Sequence, residues 1–120
     1  AALIGGMERG QFKGRSLKTG LPECVALTGG EVSHAIAPTV RKIVDSVRRT
    51  LSETPPELAA DLIDTGIVLT GGGAKLKGLD KLISHETGLK VSIAEDPMYC
   101  VALGALKLGS GEDMDAPRYA

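Results

Sequence analysis

Apolar residues recur every three or four positions between residues 32 and 51, the spacing of one face of an α-helix. Thr28 and Glu31 stand just before this stretch with the spacing of a capping box, in which each side chain binds a backbone amide at the helix start. Pro38 removes one amide and crowds the preceding turn, so we expect a kink or a restart near Ala37. The pattern predicts a long helix after Thr28 whose core face carries Val32, Ile36, Val40, Ile43, Val44, Val47 and Leu51.

Short segments on either side of a polar connection precede this helix. They run from Met7 to Leu17 and from Glu23 to Thr28, and residues 18–22 read Lys-Thr-Gly-Leu-Pro. Two short runs joined by a Gly- and Pro-containing link are typical of a β-hairpin. We therefore predict a hairpin before the long helix.

The second half of the chain alternates strand and helix signals. A second capping box, residues 54–57, predicts a helix from Glu57 to Asp64. The β-branched run Ile67 to Leu69 predicts a strand buried on both faces. A helix carrying Leu76, Leu79, Leu82 and Ile83, closed by a Gly88 cap, then leads to a strand from Leu89 to Ala94. Such a strand, helix, strand unit predicts a parallel pair joined by a right-handed crossover.

A last helix is predicted after Ala94. Asp96 has the position of a helix cap and Pro97 that of the first turn. The tail from Gly109 to Ala120 is polar and aperiodic, so we expect disorder there. The apolar residues of the helix are expected to pack, with Gly104 allowing close approach to a sheet: Val101, Ala102, Ala105, Leu106 and Leu108.

Three consecutive glycines follow the strand at residues 67–69. Glycine lacks a Cβ, so a ligand can approach the backbone of Gly71, Gly72 and Gly73 closely, and amides that open a helix attract phosphate. The same three residues also suit a tight connection between a strand and a helix. A single glycine-rich loop leaves both interpretations open.

Composition narrows the remaining chemistry. The net charge is −1 and basic and acidic residues are interspersed, so neither a nucleic-acid surface nor a polybasic membrane patch is indicated. Cys24 and Cys100 show no ligand spacing and are read as free, packed thiols in a reducing compartment. No segment has the roughly 20 apolar residues of a membrane span and the N-terminus lacks the layout of a secretory signal, so we expect a cytoplasmic location by default. His34 and His85 are expected to face solvent, and no catalytic triad or metal ligand set is visible.

Six short motifs occur in order along the chain: residues 19–22 (Thr-Gly-Leu-Pro), 54–61 (Thr-Pro-Pro-Glu-Leu-Ala-Ala-Asp), 66–74 (Gly-Ile-Val-Leu-Thr-Gly-Gly-Gly-Ala), 78–80 (Gly-Leu-Asp), 94–97 (Ala-Glu-Asp-Pro) and 100–102 (Cys-Val-Ala). Together they resemble the C-terminal part of the MreB family of bacterial actin-like proteins. The resemblance covers residues 15–108 without large gaps.

The resemblance implies an α/β fold, part of the actin-like or ribonuclease-H-like ATPase fold, with a βαβ unit, flanking helices and an N-terminal β-hairpin. It places residues 1–29 in the smaller subdomain of the second lobe and residues 30–108 in its nucleotide-contacting subdomain, with 109–120 as the tail. It implies contacts to ATP, bound with Mg²⁺ in the full-length protein, from Gly71, Gly72, Gly73, Ala74, Lys75 and Leu76. Lys75 departs from the family, which usually has an apolar residue there.

The resemblance further implies self-association into filaments at the inner face of the cell membrane, a RodZ-like membrane partner, and cell-wall synthesis organised by these filaments. The family's two phosphate loops and its membrane-inserting segments do not occur in this sequence. We therefore expect a piece of a longer protein that lacks catalytic residues and by itself neither hydrolyses ATP nor binds it tightly.

Two rival hypotheses remain. The first is a sugar-kinase or chaperone relative of the same ATPase superfamily, because such proteins share the strand, glycine and helix arrangement. The second is a partner-binding module without nucleotide, with the helix from Glu31 to Thr54 as its surface.

Overall fold

The computed structural model describes residues 9–111, which form a mixed α/β arrangement with two separate two-stranded sheets. The first sheet is an antiparallel hairpin and the second is a parallel pair. In chain order the strands and α-helices are β1 (Arg9–Arg15), β2 (Pro22–Thr28), α1 (Gly29–Glu53), α2 (Pro56–Thr65), β3 (Ile67–Leu69), α3 (Leu79–Thr87), β4 (Val91–Ile93) and α4 (Cys100–Gly109).

The predicted capping box forms at the start of α1. The Glu31 amide donates to the Thr28 hydroxyl at 3.1 Å, and the Thr28 amide donates to the Glu31 carboxylate, also at 3.1 Å. The predicted hairpin before it is confirmed as well, with Arg9 opposite Thr28 and Arg15 opposite Pro22. Because β2 ends at Thr28, the cap fixes where the hairpin stops and the helix begins.

Removal of this cap gives a first testable prediction. Thr28→Ala leaves the Glu31 amide without its acceptor, and we expect a loss of about 1 kcal/mol in the free energy of unfolding. Urea unfolding followed by circular dichroism measures the loss. Thr39→Ala, at an exposed position inside the same helix, is the matched control and should change stability by less than about 0.5 kcal/mol. Equal losses in the two variants would contradict a capping role.

The helix α1 runs through Pro38 as one element of 25 residues, so the expected restart near Ala37 is wrong. Pro38 lies on the exposed side of the helix, where water can hydrogen-bond the carbonyl that loses its amide partner. The apolar face is largely confirmed, since Val40 and Val44 are buried. Ile43, however, is 43% exposed.

The core lies between α1 and α3. Val40 and Val44 from α1 pack with Leu79 and Ile83 from α3, and Ile83 is the most buried of them at 1% exposure. Partly buried apolar side chains from α1, α3, both strands of the parallel sheet and the connection before α3 surround this cluster: Ile36, Val47, Ile67, Leu69, Leu76, Leu82 and Val91. The two helices thereby hold β3 and β4 in place.

The second predicted capping box does not form. The residue that caps α2 is Pro55, with Pro56 at the first helical position and no side-chain hydrogen bond to the helix start. The Thr54 hydroxyl instead donates to the Thr50 carbonyl at 2.7 Å. Thr54 is the C-terminal cap of α1, so its side chain satisfies the end of that helix rather than the start of the next.

The parallel pairing of β3 with β4 is confirmed, with Ile67 opposite Val91 and Leu69 opposite Ile93. The prediction that β3 is buried on both faces is wrong for this chain, since Val68 is 45% exposed. The core cluster contacts Ile67 and Leu69, and the side chain between them points to the other face of the sheet. The right-handed crossover stays a prediction.

The last helix differs from expectation at its start and along its length. Asp96 does not cap α4, which begins at Cys100 after Tyr99; the Asp96 carbonyl accepts from the Tyr99 amide at 2.9 Å in a turn. The prediction that the apolar side chains of α4 are packed is wrong within residues 9–111, since Val101 is 86% exposed. A Cβ on Gly104 would meet no atom within 4 Å, so there is no close helix-to-sheet approach.

Both cysteines are free thiols, as predicted. The prediction that Cys24 is packed is wrong, because this residue is exposed on the hairpin. Cys100 is half-buried, with its Sγ 3.6 Å from the Asp96 carbonyl oxygen. His34 and His85 are exposed, as predicted. Residues 112–120 of the predicted tail lie outside the described part, and the division into subdomains at residue 29 stays a prediction.

None of the helices described between Arg9 and Gly111 has the length and apolar character of a membrane span. The same part of the chain contains no cluster of three or more His, Cys, Asp or Glu residues able to hold a metal ion.

Candidate functional site

The glycine segment lies where the two parallel strands end. Residues 70–73 follow the carboxyl end of β3, and residues 94–97 follow the carboxyl end of β4. Because the strands are parallel and adjacent, both segments emerge at the same edge of the sheet. Open α/β sheets bind ligands at this edge, which makes it a candidate ligand-binding site.

Two hydrogen bonds join the segments. The Gly71 amide donates to the Pro97 carbonyl at 2.6 Å, and the Ala94 amide donates to the Leu69 carbonyl at 3.0 Å. Gly71 has φ +82° and ψ 172°, a conformation that is essentially restricted to glycine. The loop is therefore held to the turn after β4 in a backbone shape that a side chain would disfavour.

The glycines do not open the amphipathic helix directly, contrary to the sequence prediction. Residues Gly72–Lys75 form a 3₁₀ turn, closed by the Leu76 amide donating to the Gly73 carbonyl at 3.1 Å. Leu76 is extended and Gly78 has φ +91°, so the chain changes direction before α3 begins at Leu79. The left-handed Gly78 separates the two helical segments.

The loop is open on its outer side. Gly71, Gly72 and Gly73 are exposed, and a Cβ built on any of them would meet no atom within 4 Å. Within residues 9–111 the amides of Gly72 and Gly73 donate no hydrogen bond to another residue. Two backbone donors with open space before them can serve an anionic group.

The six residues implied by the resemblance divide into two groups. The three glycines and Lys75 face solvent, whereas the Ala74 side chain is 3% exposed and Leu76 packs against the core. The side chains of Ala74 and Leu76 therefore shape the loop from inside, and only the backbone of these two residues is available to a ligand.

A cleft of about 460 Å³ adjoins the exit of the loop. Three lysines and one aspartate line it, so its charge favours an anion. Lys77 and Lys81 were not among the residues predicted from the sequence. Their spacing on either side of Gly78 carries no recognisable motif, and only the turn there brings them beside Lys75. The lining residues are Lys75, Leu76, Lys77, Gly78, Asp80, Lys81 and Ile93.

A larger groove of about 580 Å³ lies between α1 and α3. Val40, Val44 and Leu82 form its apolar floor, and the 3.6 Å ion pair between Arg48 and Glu86 crosses one end. It contains none of residues 71–76, but it shares Gly78 and Lys81 with the cleft at the exit of the glycine loop.

The fold is that of part of the actin-like MreB proteins. MreB5 of Spiroplasma citri bound to AMPPNP aligns with a TM-score of 0.79 and 31% identity, over 92% of this chain and 34% of that one. The ADP-bound structure of MreB5 of Spiroplasma citri aligns with a TM-score of 0.77 and 31% identity, over 91% and 35%. The predicted fold class is thereby confirmed.

The chain belongs to the MreB/Mbl protein family, whose model matches residues 5–116. It is 45% identical over 93 residues to the cell shape-determining protein Mbl of Bacillus subtilis, covering 78% of this chain and 28% of that protein. It is 44% identical over 97 residues to the cell shape-determining protein MreB of Escherichia coli K12, covering 81% and 28%. The chain thus spans about 28% of the length of these curated relatives.

Proposed function

We propose that the chain contributes one wall of the nucleotide site of a filament-forming actin-like ATPase that sets bacterial cell shape and organises cell-wall synthesis. The ligand proposed for the complete protein is ATP with Mg²⁺. The proposed contacts are the backbone amides of the glycine loop together with the ammonium group of Lys75, while the backbone of Ala74 and Leu76 completes the loop.

One observation carries this proposal: the glycine loop holds two unpaired amides at the carboxyl edge of a parallel sheet. The Gly71 bond to Pro97 keeps the loop in that position before any ligand arrives. The relatives named above include structures bound to ADP and to AMPPNP, which supports a nucleotide as the anionic ligand. The MreB/Mbl match favours this function over a sugar-kinase or chaperone role.

The wider setting of the protein is part of the same proposal. It comprises self-association into filaments, a RodZ-like membrane partner, and a place in the cytoplasm at the inner face of the cell membrane. Membrane contact is assigned to segments of the complete protein beyond this chain. The groove between α1 and α3 supports α1 as a partner-binding surface, because its apolar floor has a charged rim.

A glycine substitution in a chimera tests the nucleotide contact. The 97 matching residues of Escherichia coli MreB are replaced by those of this chain, and Gly72→Val is introduced. Gly72 has an ordinary backbone conformation and open surroundings, so the valine fits the fold but occupies the space in front of the loop. We expect nucleotide affinity to fall by about tenfold or more, which corresponds to about 1.4 kcal/mol of lost contacts.

Calorimetry with AMPPNP measures the affinity, and thermal unfolding without nucleotide shows that the fold is kept. The matched control is Gly14→Val, an equally open glycine on the hairpin, which should leave nucleotide affinity unchanged. A Gly72→Val chimera that binds AMPPNP as well as the parent chimera would overturn the assignment of the loop.

The 120-residue chain alone gives an independent check. It carries one wall of the proposed site, so calorimetry should detect neither tight ATP binding nor hydrolysis. Micromolar, magnesium-dependent ATP binding by the isolated chain would contradict the division of the site between this chain and the rest of the protein.

A further inference from the structure

Three lysines converge on the cleft at the exit of the glycine loop, which we call the lysine cleft. Lys75 ends the 3₁₀ turn, Lys77 lies in the connection that follows, and Lys81 lies in the first turn of α3. All three are exposed and line the same cavity of about 460 Å³. Ligand cavities commonly measure about 300–1,000 Å³, so the lysine cleft has the size of a site for a small ligand.

The positive charge of the lysine cleft is not neutralised by the described part of the chain. Residues 66–79 contain no acidic side chain, and Asp80 is the one acidic residue among those that line the cleft. Within residues 9–111, neither Asp80 nor any of the three lysines forms an ion pair. Like charges around one cavity repel each other, and an anion placed among them relieves that repulsion.

A phosphate group matches this charge. Three lysines and one aspartate leave the cleft with a net charge of +2. A phosphate monoester carries about −1.5 to −2 at pH 7 and has three acceptor oxygens, so one such group balances the charge and offers an oxygen to each ammonium group. A carboxylate carries a single negative charge and would leave the cleft positive. Lysine is also a common binder of phosphate, for which it acts as a point charge.

Two apolar side chains also line the cleft. Leu76 is half-buried against the core, and Ile93, at the end of β4, is 43% exposed. Apolar walls lower the local dielectric constant, so they strengthen the attraction between the ammonium groups and an anion. Basic and acidic residues are interspersed in the sequence as a whole, so the positive charge here is a local pocket and not a long basic stripe. Such a pocket fits a small phosphate compound better than a nucleic acid.

The lysine cleft adjoins the glycine loop but is not lined by it. None of the three glycines at residues 71–73 belongs to its lining. Lys75 is common to the cleft and to the proposed nucleotide contact, whereas Lys77 and Lys81 lie outside that contact. Substitutions at residues 77 and 81 therefore test the cleft and leave the glycine loop as it is.

We propose that the lysine cleft is a second anion site, which binds the phosphate group of a small soluble compound such as inorganic phosphate or pyrophosphate. The ammonium groups of Lys75, Lys77 and Lys81 donate to the phosphate oxygens, and Asp80 limits the charge of the cleft to that of one phosphate group. This site goes beyond the proposed function, because it requires neither the amides of the glycine loop nor a nucleotide.

Titration of the full 120-residue chain with pyrophosphate tests the site, with binding followed by the NMR shifts of the backbone amides. In the parent chain, the amides of residues 75–81 should shift. The double variant Lys77→Gln and Lys81→Gln loses two charged hydrogen-bond donors, and we expect its affinity for pyrophosphate to fall by about tenfold or more. The double variant Lys77→Arg and Lys81→Arg keeps both charges and should bind within about threefold of the parent.

A matched control removes two exposed lysines that do not line the cleft, Lys18→Gln and Lys42→Gln, with the same change in net charge. It should bind pyrophosphate like the parent chain. Raising the ionic strength from about 0.01 M to about 0.15 M shortens the Debye length from about 30 Å to about 8 Å, so binding by the parent chain should weaken. Circular dichroism shows whether each variant is folded.

Three results would overturn the proposal: a parent chain whose residues 75–81 do not respond to pyrophosphate, a folded Lys77→Gln and Lys81→Gln variant that binds like the parent, or an equal loss in the control. Binding to vesicles that contain phosphatidic acid, without a response to pyrophosphate, would also overturn it and assign the cleft to a lipid headgroup.

Two further measurements separate this site from the proposed nucleotide site. In the chimera, the double variant Lys77→Gln and Lys81→Gln should leave the affinity for AMPPNP unchanged, and a fall as large as that of Gly72→Val would make the cleft part of the nucleotide site. In the 120-residue chain, Gly72→Val should leave pyrophosphate binding unchanged. Failure of the second anion site therefore leaves the proposed nucleotide site intact, and the reverse also holds.

Discussion

Gly66→Ala should destabilise the chain by about 3 kcal/mol or more, the largest effect that we expect from a single methyl group. Gly66 has φ +74° and ψ −168°, a conformation in which a residue with a Cβ is strained by about 1–3 kcal/mol. A Cβ there would also lie 2.6 Å from the Lys90 carbonyl oxygen, closer than real contacts allow. The colliding atom belongs to the backbone and cannot rotate away.

The collision falls on the bond that starts the parallel sheet. The Lys90 carbonyl accepts from the Ile67 amide at 2.8 Å, so displacing it separates β3 from β4 at their first pair. For a chain of this size, a loss of about 3 kcal/mol lowers the unfolding temperature by roughly 10–20 °C. Differential scanning calorimetry measures this shift.

Gly71→Ala is the matched control, because Gly71 has nearly the same backbone conformation, φ +82° and ψ 172°, but no atom within 4 Å of its Cβ position. It carries the strain without the collision and should cost about 1–3 kcal/mol. The difference between the two variants isolates the contact with Lys90. Equal losses would show that the contact with Lys90 adds nothing to the strain.

Signals that act within a few residues were readable from the sequence. The Thr28 capping box and the Gly88 helix end both form, because each depends on a side chain or a conformation within one turn of the helix. The hairpin and the parallel pairing were likewise predicted from local strand patterns.

Features that depend on contacts with distant parts of the chain could not be predicted from the local sequence. Thr54 and Asp96 have cap chemistry, but their local partners differ: the Thr54 hydroxyl binds the end of α1, and the Asp96 carbonyl closes a turn. The apolar pattern of α4 is that of a packed helix, yet in this chain no other described element covers it. A pattern indicates that a face is apolar, whereas burial requires a second surface.

The candidate site was predicted in part. The three glycines form an open, exposed segment of the strand connection, and their contact with a nucleotide stays a prediction. Their place on a 3₁₀ turn depends on Gly78, which has no distinctive local signal. Lys77 and Lys81 join the cleft only because that turn brings them beside Lys75. Their place beside the candidate site is a consequence of the fold.

Ile83→Ala should lower the free energy of unfolding by about 3 kcal/mol, within the range of 2–5 kcal/mol for emptying a packed core position. Ile83 is 1% exposed and packs with Val40, Val44 and Leu79, so its removal leaves a cavity between α1 and α3. Ile83→Val removes one methylene from the same place and should cost about 1 kcal/mol. Urea unfolding measures both losses.

Ile63→Ala provides the control, since it makes the same chemical change on a helix where the side chain is 66% exposed, and it should change stability by less than about 0.5 kcal/mol. Comparable losses at residues 63 and 83 would contradict a core between α1 and α3. Because β3 and β4 pack on that core and carry the glycine loop, Ile83→Ala in the chimera should lower AMPPNP binding only at temperatures where this part of the protein unfolds. Gly72→Val should lower binding at every temperature, which separates support of the loop from contact with the ligand.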